Sequence, residues 1–308
     1  MNEKCNICFF VPTFKRPVGL SRCLSSIISE AKSCLIEPQI YVSNNAPEDQ
    51  DTKKIVNVFK EVYSNIVYEE NTENLGIDLN MRKAFFIDTD STYCIMLGDD
   101  NALRYGALRL IIENIRLKEY AFVVLGRYTV DTAKIKTKTC EYTNMRKAFR
   151  DLESKTAFGT IIVNLNLIKL LEKEAIDRFI GTYHIYSGPL WDLTILYPKV
   201  LYIDSPIIYE DSLECKSYKS YLDDVYMRAI PQYFNLIHQE YRYEALKMKN
   251  KFLLFLYLGS AENERQCMLE KCEDMRTLLK KKRFRLMVLL YDVFKLLKDF
   301  CDLKKYDS

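Results

Sequence analysis

The chain predicts an open α/β fold on a mostly parallel central sheet, followed by a helical C-terminal region. Three observations carry this. Up to Leu125, short apolar runs of strand character alternate with helix-spaced apolar positions, the rhythm of strand–crossover–strand units. The first run, Ile7 to Val11, is continuously apolar rather than alternating, as strands covered on both faces are. Roughly the last hundred residues carry few β signals.

The elements follow in order. Ile7 to Val11 is a strand, broken by Pro12-Thr13-Phe14-Lys15-Arg16-Pro17. Leu20, Cys23, Leu24, Ile27 and Ile28 then recur at helical spacing. Gln39 to Ser43 is a second strand, closed by Asn44-Asn45-Ala46-Pro47. Ile55 to Tyr63 is helical, Asn65 to Tyr68 extended, Asn74-Leu75-Gly76 a turn and Asp78 to Ile87 a helix. Tyr93 to Leu97 is a buried strand, Tyr105 to Leu117 a helix and Ala121 to Leu125 a strand. Further on, Ala157 to Asn164 has strand character, Leu165 to Glu174 is helical, and two extended pieces flank Asp204-Ser205-Pro206. In an open sheet of this kind, ligands sit at the carboxyl ends of the strands. The polar turns at 12–17, 43–47 and 98–101 all fall at that edge. The expected division is 1–210 for the sheet domain and 211–308 for the helical region.

Composition narrows the class. The chain has 308 residues, 48% of them hydrophobic, enough for a substantial core. With 45 basic and 42 acidic residues, its net charge of +3 is too balanced to indicate a nucleic-acid partner. The ten cysteines are scattered, several in apolar runs (Cys8, Cys94, Cys267, Cys301). Cys5 and Cys8 form a CxxC pair with no second pair to complete a zinc site, so buried thiols in a reducing cytoplasm are expected. No secretory leader and no apolar run long enough for a membrane span is seen.

Leu97-Gly98-Asp99-Asp100-Asn101 is the most informative stretch. Two adjacent carboxylates at the end of a buried strand repel each other unless something offsets their charge. A divalent cation does so, and hard oxygen ligands suit Mg²⁺ or Mn²⁺. Alone, the pair also fits a polar turn. Its upstream company favours the metal.

The ordered set formed by the turn at 12–17, Val42 to Asp49, Asn74-Leu75-Gly76-Ile77 with Asn80, and Leu97 to Asp100 resembles family 2 glycosyltransferases of the GT-A fold. The similarity is greatest to bacterial, abequosyltransferase-like enzymes of surface-polysaccharide synthesis, and it covers roughly residues 5–210. The resemblance implies transfer of a sugar from a nucleotide-sugar donor to a hydroxyl of a glycan or polyprenyl-diphosphate-linked acceptor, with inversion. It places Pro12, Thr13, Phe14 and Arg16 at the nucleotide pocket, and Asn44 where the family usually has an Asp against the base or ribose. Asn74, Gly76 and Asn80 match a further nucleotide-side segment, with Lys83 as a basic contact or part of a helix start. It makes Asp100 the direct metal ligand and gives Asp99 a ribose or metal-bound water contact, with Mn²⁺ or Mg²⁺ as cofactor.

An inverting transferase needs a general base for the acceptor hydroxyl. The family's acidic pair is missing from Gly181 to Leu193, where Pro189-Leu190 fall near its place. Asp192, the nearest carboxylate, and His184, one of two histidines, are the candidates. Trp191 is a core residue or a sugar platform. Two other readings stand beside a transferase: a nucleotidyltransferase, which should show a Gly-rich phosphate loop where only Gly19 occurs, and a non-catalytic nucleotide- or membrane-binding homologue.

The tail adds a basic cluster, Arg276, Lys280, Lys281, Lys282, Arg283 and Arg285, then Leu286, Leu290, Val293, Leu297 and Phe300 at helical spacing. Such a segment suits an anionic membrane surface, peripheral at the inner face of the cytoplasmic membrane, or a helix packed on the domain with a solvated basic face.

Overall fold

The computed structural model describes residues 6–116, 118–127, 137–210, 224–260 and 262–291. Its centre is a twisted sheet that begins with β1 (Ile7–Thr13), β2 (Gln39–Asn44), β3 (Ile66–Glu70) and β4 (Tyr93–Met96). These four lie side by side in the order β3-β2-β1-β4, all parallel. Their carboxyl ends therefore share one edge. The period of two sorts β1 between two cores. Ile7, Phe9 and Val11 pack with Leu20, Leu24 and Ile27 of α1 (Pro17–Cys34), while Cys8 and Phe10 face the other layer with Met96, Phe122 and Trp191. Burial on both faces is why the strand is apolar throughout.

Helix α1 opens on Pro17, whose missing N–H costs nothing in a first turn. Its Glu30, only 3% exposed, receives the backbone N–H of Gly106 (2.9 Å) and Leu108 (3.0 Å). The carboxylate thereby caps α4 (Ala107–Ile115) at the positive end of its dipole. Helix α2 (Gln50–Val62) starts on an Asp49 N-cap, five residues before the start expected from apolar spacing. Helix α3 (Gly76–Arg82) follows the Asn74-Leu75 turn and tightens into a 3₁₀ turn at Lys83–Phe85.

Beyond β4 the sheet becomes mixed. Three-residue β5 (Asn101–Leu103) lies at the far end of the sheet, antiparallel to β9, and β6 (Phe122–Arg127), β7 (Lys138–Tyr142), β8 (Ile161–Asn164) and β9 (Val200–Glu210) complete the order β3-β2-β1-β4-β8-β6-β9-β5, with β7 against β9. β8 runs antiparallel to both β4 and β6, whereas β6 and β9 are parallel. The two extended pieces around Asp204-Ser205-Pro206 are one strand, with a register shift opposite Leu125 and Arg127. The stretch at 157–160 is a turn, because Thr160 Oγ1 folds back onto the carbonyls of Lys155 and Ala157. The helix expected over Leu165 to Glu174 is two pieces, α6 (Leu165–Ile168) and α7 (Lys173–Asp177), each short. Between β7 and β8 lies α5 (Met145–Leu152).

Helix α8 (Gly188–Leu196) is buried on nearly every side, so it shows no amphipathic pattern. Trp191 is wholly enclosed, edge-on to Phe122 (5.1 Å) and Phe149 (4.9 Å). It is a core residue, not a sugar platform. The same core takes in Tyr233, Phe234, Ile237, Tyr241 and Ala245 from the C-terminal helices, so this part of the region after 210 is continuous with the sheet domain. A separate cluster, including Leu253, Met268, Met275 and Phe284, holds the later helices together. Buried Lys249 bridges them through Asn235 (2.8 Å) and Asp274 (2.6 Å). No described helix is long and apolar enough to cross a membrane. Among the described residues Cys8, Cys23, Cys94 and Cys272 are buried free thiols, while Cys267 is half-buried; Cys5 and Cys301 lie outside them.

Candidate functional site

The shared edge gathers the first and fourth turns directly. Thr13 Oγ1 donates to Asp99 Oδ2 at 2.8 Å. Arg16 Nη1 reaches Asp99 Oδ1 at 3.1 Å and Asp100 Oδ2 at 3.3 Å. Asp99 is 6% exposed, while Asp100 is half-buried and its Oδ1 accepts from Asn101 Nδ2 at 2.8 Å. Burial pushes the Asp99 carboxyl up to about 6; Arg16 pulls it down and the Asp100 charge pushes it up again. By formal charge, the two carboxylates outnumber the one guanidinium that bonds them.

Glycine fixes the approach. A Cβ on Gly98 would lie 2.5 Å from Asn101 Nδ2 and 2.8 Å from Asp100 Oδ1. Only glycine lets Asn101 fold back over the turn and hold Asp100.

The second turn joins through its backbone, Asn45 N donating to Thr13 O at 2.9 Å, and through an exposed Lys15–Glu48 ion pair at 2.7 Å. Asn44 departs from the contact expected of it. It is fully enclosed, and its amide is spent on Ala46 O (3.0 Å) and Tyr68 OH (3.0 Å) while its oxygen accepts from Ala46 N. It shapes the turn and presents no surface to a base. Asn80 is likewise buried, its Oδ1 receiving Ser43 Oγ (2.7 Å) and Asn71 Nδ2 (3.0 Å). Lys83 is held by Glu69 (2.6 Å) and Asn71. Asn74 is exposed and receives Asn45 Nδ2 (2.8 Å) and Gly76 N (2.9 Å). These residues form a linked asparagine network under the second and third turns. Pro12, Phe14 and Arg16 are half-buried at the rim, so they keep surface for a ligand.

The two base candidates sit in different surroundings. His184 is half-buried in the turn before α8. Its Nδ1 lies 2.8 Å from Thr182 O. A carbonyl only accepts, so Nδ1 carries the hydrogen and the neutral ring has its lone pair on Nε2. The ring stacks on Tyr233 (4.6 Å) and Tyr186 (5.7 Å). Tyr186 meets Phe158 edge-on at 5.8 Å, and Phe158 Cδ1 is 3.5 Å from the position of a Cβ on Gly98. Two rings therefore connect His184 to the Asp99-Asp100 turn. Burial lowers the imidazole pKa, partly opposed by the Thr182 carbonyl, so the ring is neutral at pH 7.

Asp192 instead follows Trp191 into the core. Trp191 packs on Phe122, which is in register with Val163 and, through it, with Cys94, five residues before Asp99. Asp192 is 5% exposed. Its Oδ2 approaches Arg178 Nη2 at 2.5 Å, but neither its oxygens nor that guanidinium nitrogen has hydrogen-bond geometry. Burial pushes the carboxyl up to about 7 against the pull of Arg178.

Sequence reasoning missed two linkages at this site. Asp177 forms a two-pronged pair with Arg82, Nη2 to Oδ2 at 3.1 Å. Buried Asp78 on α3 receives the backbone of the turn that carries His184. Both join residues about a hundred positions apart, and no local pattern announces them.

Among the described residues no cluster of three or more His, Cys, Asp or Glu surrounds a metal position. The protein would supply one or two carboxylates and leave the other positions to phosphate and water, the manner in which Mg²⁺ and Mn²⁺ bind. The excess charge at Asp99 and Asp100 fits such an ion.

A parallel first half of the sheet, a carboxylate pair at its carboxyl edge and a mixed far half define the GT-A architecture. The glycosyl transferase family 2 model matches residues 8–179, and the chain belongs to that family. It is 32% identical over 106 residues to abequosyltransferase RfbV of Salmonella typhimurium, a match over 34% of this chain and 31% of that protein, so it spans about a third of that relative's length. The fold is shared with S. aureus TarS 1-349 in complex with UDP-GlcNAc (TM-score 0.60, 14% identity, 91% of this chain and 82% of that one). It is also shared with the mannosyltransferase PcManGT of Pyrobaculum calidifontis in complex with GDP-Man and Mn²⁺ (TM-score 0.53, 14% identity, 98% and 88%). Family membership sets aside the nucleotidyltransferase alternative.

Proposed function

We propose that the protein is an inverting, metal-dependent glycosyltransferase of the hexosyl or deoxyhexosyl class. It moves a sugar from a nucleotide-sugar donor to a hydroxyl of a glycan or polyprenyl-diphosphate-linked acceptor in surface-polysaccharide synthesis. The observation that carries this is the Thr13–Asp99 and Arg16–Asp99/Asp100 constellation at the carboxyl edge of a parallel sheet. Thr13 and Arg16 hold Asp99, while Asp100, the more exposed of the two and the more weakly held by Arg16 (3.3 Å), is the carboxylate that would face the ion. When bound, the ion neutralises the donor diphosphate and stabilises the departing nucleoside diphosphate. His184 Nε2 takes the proton of the acceptor hydroxyl as that oxygen attacks the anomeric carbon. The bond from that carbon to the diphosphate breaks with its electron pair, and the imidazolium then loses its proton to solvent.

UDP, GDP or CDP should raise the melting temperature, and more so with Mn²⁺ or Mg²⁺. A ligand at a hundred times its Kd adds about 2.7 kcal/mol. Asp100→Ala should melt like the wild type without ligand and lose the metal increment. An undiminished increment in that variant would overturn the assignment of Asp100.

The same reading includes docking at an anionic membrane. Lys280, Lys281, Lys282, Arg283 and Arg285 are exposed, whereas Arg276 Nη1 donates to the carbonyls of Leu269 and Glu270. On the helix from 282 to 291, Phe284 turns inward, and Leu286, Met287, Leu289 and Leu290 are exposed beside the basic turn. Val293, Leu297 and Phe300 lie outside the described residues. Each basic residue near an anionic leaflet contributes about 1 kcal/mol, weakened by salt. Co-sedimentation with phosphatidylserine vesicles should exceed that with neutral vesicles, and should fall at high salt and in Leu286→Ser/Leu290→Ser. Equal or absent binding to both vesicle types means a helix packed on the domain with a solvated basic face.

A further inference from the structure

Asp78 lies between the two halves of the site. It sits in the first turn of α3, just past Asn74 and Gly76, and is 6% exposed. Its Oδ2 accepts the backbone N–H of Gly181 at 2.7 Å and of Tyr183 at 2.9 Å. Gly181 (φ 87°) and Tyr183 (φ 59°) are both left-handed. For a residue with a Cβ that conformation is strained. Amides brought together in this way make a concave nest for an anion, and the Asp78 carboxylate fills it. Burial raises the Asp78 pKa, and the surrounding backbone amides oppose this. His184 is the next residue after Tyr183.

We infer that Asp78 is the positioning residue for His184: its carboxylate holds the Gly181–Tyr183 turn in its left-handed form and so aims the imidazole. The contact also ties the turn that carries His184 to the start of α3, beside Asn74 and Gly76. The catalytic weight of this inference rests on His184 being the base; the positional part does not.

Other charged groups face the same turn. Arg228 Nη1 donates to Gly181 O at 3.1 Å and pairs with Asp224 at 2.5 Å. Behind the Tyr233 ring lies Glu153, whose carboxyl interacts with the Tyr233 hydroxyl. None of these reaches the Gly181 and Tyr183 amides through a hydrogen bond shown in the structure. Asp78 Oδ1 has no hydrogen-bond partner, so an Asn at 78 can keep its oxygen at the nest and point its NH₂ away from it.

With two histidines in the chain, the test needs no substrate. The ring resonances of His184 and His238 are separated by His184→Gln, and their titration is followed by NMR in the full-length protein. In the wild type His184 should titrate below the ordinary value of about 6.5. In Asp78→Ala its pKa should rise towards that value, and its stacking-induced shifts should shrink. Loss of a nearby negative charge alone would move the pKa down, so the sign separates released positioning from electrostatics. Asp78→Asn loses the charge but keeps an oxygen at the nest, so it should keep the stacking-induced shifts and move the pKa, if at all, downwards. Gly181→Ala strains the same turn with open space around the new methyl, and should move His184 as Asp78→Ala does if the latter folds poorly. A His184 titration and shifts unchanged in Asp78→Ala, or in Gly181→Ala where that is the variant measured, overturn the inference. If they move while turnover with a stabilising donor stays at wild-type level, the positioning stands and His184 is not the base.

Discussion

His184→Gln is expected to lower turnover by about two to four orders of magnitude, the usual contribution of a general base. Affinity for UDP or GDP should stay near wild type, because His184 joins the carboxylate edge through Tyr186 and Phe158 rather than through the nucleotide loops. Glutamine keeps a hydrogen-bonding side chain and removes the titrating nitrogen. The base works when neutral, so wild-type turnover should rise with pH through the imidazole pKa, which burial holds below the usual histidine value. The plateau should be reached by neutral pH, and the acid limb should be absent in the variant. Near-normal turnover with that limb intact would remove His184 from the mechanism and direct attention to Asp192, then to Asp177. A wild-type protein that binds nucleotide and transfers nothing would match the non-catalytic homologue.

The parallel half was legible in the sequence because burial on two faces leaves a plain mark. Ile7 to Val11 and Tyr93 to Leu97 are apolar without alternation, and each ends abruptly in polar residues, which locates the carboxyl edge. The far half carries no such mark. β7 is almost wholly exposed, β5 is three residues long, and β8 is half the length its apolar run suggests. Their pairing is set by contacts distant in sequence, which local pattern does not encode. In the site, residue type was readable and direction was not. Asn44 had the right chemistry at the right strand end, yet an Asx-type turn onto Ala46 directs its amide into the protein. Glu30 and Asp78 look like ordinary helix carboxylates; their importance comes from amides 76 and 103 residues away.

Asp192→Asn is expected to raise stability relative to wild type as the pH goes up, and to leave turnover in place. Asp192 is 5% exposed, and its carboxyl is pushed up to about 7 from the usual 3.8. A folded-state pKa above the unfolded one means that the native protein favours the protonated acid. That stabilisation is fully present below about pH 4 and is lost as pH rises through 7. Three units at about 1.4 kcal/mol each make the loss of the order of 4 kcal/mol by pH 8. Asparagine cannot ionise and escapes the loss, so the stability difference between variant and wild type should grow more favourable to the variant from pH 4.5 to pH 8. Arg178 is the objection, since removing one partner of a buried pair usually strands the other. Its Nε and Nη2 are buried without a hydrogen-bond partner, but its side chain is 33% exposed overall and lies over the Phe179 ring at 4.9 Å, and an asparagine oxygen at 192 can accept from it, so the charge is not left stranded. Urea unfolding at the two pH values measures the difference. Should turnover collapse in Asp192→Asn while the fold and nucleotide binding persist, the carboxylate beside Trp191 is the base after all, and the aromatic core must open to admit the acceptor.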